Sequence, residues 1–184
     1  TGGGGGGDLP SDAALLLRMN PGLVFGSGLH PTTKGCLLAL DRLFRSYSVK
    51  TVVDLGTGTG ILAVAAALLG AARVTALDCI PLAVRVARDN VRANAVEHAV
   101  DLVVARELKA LREPSELLLM NIEWPCLREA LAGEEWQAYR WVVMSGFLTA
   151  QWHVFRSLLP ADCQILFQFP LEDWMTVVVS PPVK

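Results

Sequence analysis

The 184 residues are 52% hydrophobic and 18% charged, with 16 Lys and Arg against 18 Asp and Glu for a net charge of −2. A chain of this size and composition can bury a core without a metal or disulfide staple, which excludes disordered and fibrous classes. The balanced charge gives no basic field for phosphates, so direct nucleic-acid binding is not expected; the longest apolar run, residues 61–72, is shorter than the ~20 residues that span a bilayer, so no membrane partner is expected either.

Residues 1–8 contain a six-glycine run that contributes nothing to a core and reads as a flexible linker or remnant. Residues 9–50 are expected to carry a loop and a helix, and 51–184 the core of the same domain. Within the first part, 13–19 is apolar and fits either strand or helix, and 22–31 is too rich in glycine for regular structure. Thr32 or Thr33 then caps a helix running to about residue 46. Beyond it the pattern alternates: strand 51–55, helix 60–69, strand 73–77, helix 81–94, then strands at 100–104, 116–122 and 140–144. Two β-rich runs, 164–169 and 174–179, are joined by a turn at 170–173. The sum is an α/β fold: a doubly wound, mostly parallel seven-stranded sheet with helices on both faces and a C-terminal antiparallel hairpin.

Cys36, Cys79, Cys126 and Cys163 stand far apart with no C-x-x-C pair, and no His, Cys or carboxylate set has metal spacing. With no basic-then-apolar leader at the start, reduced thiols in a cytoplasmic protein without a metal are the expectation. Isolated cysteines in apolar surroundings, such as Cys36, read as small core residues. Trp136, Trp141 and Trp152 read as packing residues, and His98 and His153 as surface ones.

Residues 54–60, Asp-Leu-Gly-Thr-Gly-Thr-Gly, follow a strand and open a helix, the place where an α/β sheet binds ligands at its carboxyl edge. Glycines there let the backbone turn sharply and approach a ligand, while free amides at the helix start face it. A dinucleotide fingerprint from Gly56 needs glycine at 61, where Ile61 stands, so the pattern is G-x-G-x-G and NAD is disfavoured. The second strand ends at Asp78, an acid suited to accept hydrogen bonds from two ribose hydroxyls. Tight packing alone remains a competing explanation for such a glycine turn.

Asp54, the loop, Asp78 and the terminal hairpin resemble the class I S-adenosylmethionine-dependent methyltransferases, with their Rossmann-like fold. Residues 20–33, Asn-Pro-Gly-Leu-Val-Phe-Gly-Ser-Gly-Leu-His-Pro-Thr-Thr, resemble more specifically the bacterial ribosomal protein L11 methyltransferase family. Further matches are 54–62, Asn121-Ile122, Ser145-Gly146-Phe147-Leu148 and Asp173-Trp174. The resemblance implies S-adenosyl-L-methionine as cofactor and methyl transfer to amino groups of a protein, a ribosomal protein in that family. It implies cofactor contacts at Phe25, Gly26, Thr33, Asp54, Gly56, Thr57, Gly58, Gly60, Ile61, Asp78, Cys79 and Asn121. Three departures bear on the substrate. Leu29 replaces a threonine, Glu123 and Trp124 stand where the family has small or aliphatic residues, and only about twenty residues precede the first motif, where the family carries an N-terminal substrate-recognition domain. Either that domain is truncated here or this branch finds its substrate otherwise.

The chemistry then hinges on the acceptor's proton. A lysine of pKa ~10.4 is neutral in roughly one molecule in two thousand at pH 7, a cost of about 4.6 kcal/mol, against about 1.4 for an α-amine of pKa ~8. Apolar walls lower an amine's pKa, and Phe25 and Trp124 are the candidates, with Glu123 at the same pocket expected to point outward or meet a cation elsewhere on the substrate. Asn121, on a strand expected beside the first, offers neutral acceptors that can hold an amine with its lone pair free. His30 is either a general base or a hydrogen-bonder that fixes the loop, and the second is favoured. Two further readings stay open: a methyltransferase for a small molecule or another protein lysine, and a non-catalytic cofactor-binding partner module.

Overall fold

The computed structural model describes residues 15–20, 30–111 and 115–182. The expectations for residues 1–8, for the loop at 22–29 and for Phe25, Gly26 and Leu29 lie outside the described residues. Seven strands form one sheet: β1 (Thr51–Leu55), β2 (Arg73–Asp78), β3 (Val100–Val104), β4 (Leu117–Asn121), β5 (Trp141–Leu148), β6 (Gln164–Leu171) and β7 (Trp174–Ser180). Their order is β3-β2-β1-β4-β5-β7-β6. The first five strands pair in parallel, and β7 joins β5 and β6 antiparallel. The chain winds outward from β1 in one direction and from β4 in the other, so the crevice for a ligand opens where the carboxyl ends of β1 and β4 part.

Successive side chains of a strand face opposite ways, and the central strands feed two cores. From β4, Leu117 and Leu119 join Leu40, Leu43, Val64 and Val178 on one face. Leu118 and Met120 join Leu127, Trp136, Phe147 and Phe155 on the other. The first face is covered by α1 (Pro31–Ser46), α2 (Ile61–Leu68) and α3 (Pro81–Ala93), the second by α4 (Trp124–Ala132) and α5 (Trp152–Leu158). Gly35 lets α1 lie close on the sheet, since a Cβ there would collide with the Thr176 hydroxyl of β7. No helix among the described residues is long and apolar enough to cross a membrane.

Several boundaries differ from expectation for local reasons. Helix α1 is capped by His30, whose Nδ1 accepts from the Thr32 amide at 3.4 Å; Pro31 occupies the first turn, where its missing amide costs nothing, and Thr32 and Thr33 are buried inside the helix. Residues 15–20 form neither strand nor helix. Strand β5 continues to Leu148 because β7 pairs with it beyond a bulge between Met144 and Phe147. The last turn contracts to residues 172–173, since Pro170 and Leu171 still pair with Met175 and Trp174 on an edge strand that needs no proline amide. Cys36 and Cys163 are buried as expected of core cysteines, whereas Cys79 and Cys126 are exposed.

Candidate functional site

The glycine loop leaves β1 and returns into α2 through three left-handed glycines, Gly56, Gly58 and Gly60, with φ of 73°, 55° and 81°. Only glycine takes these angles without strain, which is the physical reason for glycine at every second position. The amides of Gly56 and Thr57 both donate to the Leu77 carbonyl at 2.9 Å, and the Gly60 amide donates to the Thr57 carbonyl at 2.8 Å. Beneath the loop lies Asp54, 1% exposed, whose Oδ2 accepts from the Thr57 hydroxyl at 2.6 Å. Burial raises the Asp54 carboxyl to about 6; the Thr57 hydroxyl and the Ala63 amide oppose that rise, and the charge of Asp78 adds to it. At the end of β2, Asp78 spans two turns: Oδ2 accepts from the Gly58 amide and Oδ1 from the Ile80 amide, each at 2.9 Å.

Across the crevice, Ile122 follows β4 and fills the space between two glycines. A Cβ on Gly56 would stand 2.5 Å from its Cγ2, and one on Gly146, where φ is 98°, would overlap its carbonyl oxygen. Gly146 lies within the stretch where β5 bulges, so the bulge aims this backbone at the crevice. Asn121 ends β4, and its Nδ2 donates to the Thr33 Oγ1 at 3.4 Å. His30 completes this side: Nδ1 is 2.8 Å from the Thr32 Oγ1, and the ring meets Trp174 edge-on with centroids 4.9 Å apart. The histidine caps α1 and packs on β7.

A cavity of about 1170 Å³ runs over these groups. Of the residues marked by sequence, His30, Thr33, Asp54, Gly56, Thr57, Gly58, Ile61, Asp78, Cys79, Asn121, Glu123 and Trp124 line it. Gly60 does not, and a Cβ there would crowd Ala87 of α3 at 3.0 Å. Trp124 opens α4 and leans on Phe147 with centroids 5.8 Å apart, while Glu123 precedes it, exposed, without capping the helix through its side chain.

Sequence reasoning missed the far wall. There Arg106 and Lys109, after β3, bridge to Glu129 and Glu135 at 3.3 and 3.1 Å. Exposed charges at such separations in sequence carry no periodic signal. Trp174 and Gly146 were visible only as parts of family motifs, with no role attached.

A sheet of this order, ending in an antiparallel pair and carrying a G-x-G-x-G loop after β1 and an acid at the end of β2, is the Rossmann-like fold of methyltransferases. The tRNA m1G37 methyltransferase of M. jannaschii shares that fold with a TM-score of 0.62 at 16% identity, over 79% of this chain and 49% of that one. The solved ribosomal protein L11 methylase of Lactobacillus delbrueckii subsp. bulgaricus superposes with a TM-score of 0.80 at 28% identity, over 90% of this chain and 84% of that one. A family model described as ribosomal protein L11 methyltransferase (PrmA) matches residues 7–181. The ribosomal protein L11 methyltransferases of Geobacillus kaustophilus and Geobacillus thermodenitrificans are 39% and 37% identical over 91% and 94% of this chain. The chain spans about half the length of these relatives, 54% and 55%. It belongs to the ribosomal protein L11 methyltransferase family.

Proposed function

We propose that this chain binds S-adenosylmethionine in the cavity over the glycine loop and transfers its methyl group to amino groups of a protein in the cytoplasm, ribosomal protein L11 being the acceptor. The observation that carries the reading is the position of Asn121. It ends β4, directly across the crevice from the glycine loop, in a chain whose curated relatives are named for methylating that protein.

The residues present fit the cofactor. Asp78 is a carboxylate fixed by two backbone amides at the end of β2, and each of its oxygens retains a lone pair for a ribose hydroxyl. Gly56 and Gly58 line the cavity with backbone only, and Ile80, Leu82 and Ala83 give it an apolar flank suited to a nucleobase. The bound cofactor supplies an activated methyl on a sulfonium, so the protein has to align the acceptor and exclude water. Thr33 occupies the Asn121 Nδ2, which leaves Oδ1 to accept a hydrogen bond from the incoming amine and hold its lone pair toward the donor. A neutral amide serves better there than a carboxylate, because a nearby negative charge keeps the amine protonated. Trp124 and Ile122 contribute the apolar wall that favours the uncharged amine.

Glu123, exposed beside this wall, favours a second reading in which the acceptor is a lysine of another protein with a second cation nearby. Incubation with methyl-labelled S-adenosylmethionine and purified ribosomal protein L11 separates the two. Label on L11 amino groups is expected. Cofactor binding without label on L11, but with label on another protein of an extract, selects the second reading.

A further inference from the structure

We propose that Asn90 is a positioning residue that couples the docking of residues 15–20 to the shape of the glycine loop, so that order in this N-terminal strap and occupancy of the loop reinforce each other. The inference rests on the reading that the loop binds the cofactor.

Asn90 lies on α3, fully buried, and uses both ends of one carboxamide. Its Nδ2 donates to the Thr59 carbonyl of the glycine loop at 2.8 Å, and its Oδ1 accepts from the Asn20 amide at 2.8 Å. These partners lie 31 residues before Asn90 in one case and 70 in the other. The carboxamide is a rigid plane, so a rotation that frees one bond strains the other.

Thr59 sits between Gly58, whose amide is held by Asp78, and Gly60, whose Cα faces Ala87 one turn before Asn90. The Thr59 carbonyl is thus the point at which α3 grips the loop from behind. One turn further along, Asn94 grips the strap a second time: its Oδ1 accepts from the Arg18 amide at 2.9 Å and its Nδ2 donates to the Arg18 carbonyl at 2.7 Å. Strap residues Leu17 and Met19, on either side of Arg18, pack on the core.

Neither Asn90 nor Asn94 lines the cavity, so neither reaches a cofactor bound there. A buried amide that left either group unpaired would forfeit its compensation for lost hydration, which gives the shared carboxamide a penalty to transmit. Coupling between two binding events is reciprocal: if the docked strap stiffens the loop for the cofactor, the cofactor must stiffen the strap by the same factor.

The test uses the full chain and S-adenosylhomocysteine as probe, with its Kd from calorimetry and exchange of the Arg18 and Asn20 amides followed by hydrogen–deuterium exchange. Asn94→Ala releases Arg18, and with it the Asn94 Nδ2 bond to the Asn90 carbonyl at 2.8 Å, without touching a loop atom. Asn90→Asp keeps the acceptor for Asn20 and turns an oxygen on the Thr59 carbonyl. In the parent, the probe is expected to slow exchange of both strap amides about fivefold or more. Asn94→Ala is expected to loosen the strap and raise the Kd several-fold. Asn90→Asp is expected to abolish the probe-dependent protection.

A role of Asn90 confined to stability would lower the melting temperature of Asn90→Asp and leave its probe-dependent protection in place; that result overturns the proposal. So does a parent Kd in Asn94→Ala with an unprotected strap, and this variant carries the test alone if Asn90→Asp does not fold. Failure of the parent to bind the probe at all refutes the cofactor reading itself, a different result from any of these.

Discussion

Gly58 and Asp78 stand twenty residues apart in sequence and meet through a hydrogen bond of 2.9 Å from the glycine amide to the aspartate Oδ2. The carboxylate proposed to receive the ribose is thereby fixed to the loop proposed to carry the rest of the cofactor, and its other oxygen secures the start of α3 through Ile80. Asp78→Ala removes both anchors together with the charge-assisted bonds to the ligand, each about 1.5–3 kcal/mol. The Kd for S-adenosylhomocysteine is expected to rise at least tenfold by calorimetry, with NAD failing to bind either protein. Unchanged affinity would remove Asp78 from the site.

Ile122 is the spacer between the two glycines of the crevice. Gly56→Ala strains a left-handed residue by about 1–3 kcal/mol and also drives a Cβ against a side chain. Gly146→Ala drives one against the Ile122 backbone carbonyl. Combining each with Ile122→Ala in double-mutant cycles should therefore recover about 1 kcal/mol or more for Gly56→Ala and nothing for Gly146→Ala. Equal recovery in denaturant unfolding would show that the Ile122 side chain is not the obstacle.

Much of this was legible beforehand, because alternating strand and helix periods are local. The strands of the core fell where runs such as Val52-Val53 and residues 117–120 put them, and G-x-G-x-G followed by Asp78 marked the loop and its partner acid. What escaped was set by contacts distant in sequence. Strand β5 runs on because β7 pairs with it, and Gly60 faces Ala87, 27 residues away, where a one-dimensional motif reads the same as a ligand glycine. The cap of α1 was misplaced because His30 competed with two better capping residue types, and Pro31 decided the matter. Asn90 gave no signal, since an asparagine in an amphipathic helix looks like an ordinary polar position until both its bonds are seen.

Asp54 predicts a pH signature. Burial holds its carboxyl at about 6 in the fold, against an ordinary 3.8. Below the lower value both states hold the proton; between the two only the folded state does, so stability falls as pH rises and the contribution is gone above the upper one. The loss is on the order of 3 kcal/mol. Urea unfolding of the parent and of Asp54→Asn across pH 4 to 7 isolates it. The parent should lose stability relative to the variant over that window, and parallel curves would show that burial does not shift this group.

Thiol labelling separates the cysteines by environment. Burial pushes the Cys36 thiol up to about 12 and also raises Cys163, so both should resist alkylation in the folded protein. Cys79 and Cys126 are exposed and line the cavity, so both should react, and S-adenosylhomocysteine should slow Cys79, which adjoins Asp78. Reaction at Cys79 unaffected by saturating ligand would place the nucleoside elsewhere.

In the proposed reaction the labour is divided: the glycine loop and Asp78 hold the donor while Asn121 positions the acceptor. The most direct measurement is the single-turnover rate of methyl transfer to ribosomal protein L11 by Asn121→Ala, read beside its S-adenosylhomocysteine affinity. A rate lowered about a hundredfold, roughly 2.7 kcal/mol, with affinity within twofold of the parent, is the predicted result. A parental rate, or a loss of rate matched by an equal loss of cofactor affinity, would contradict it.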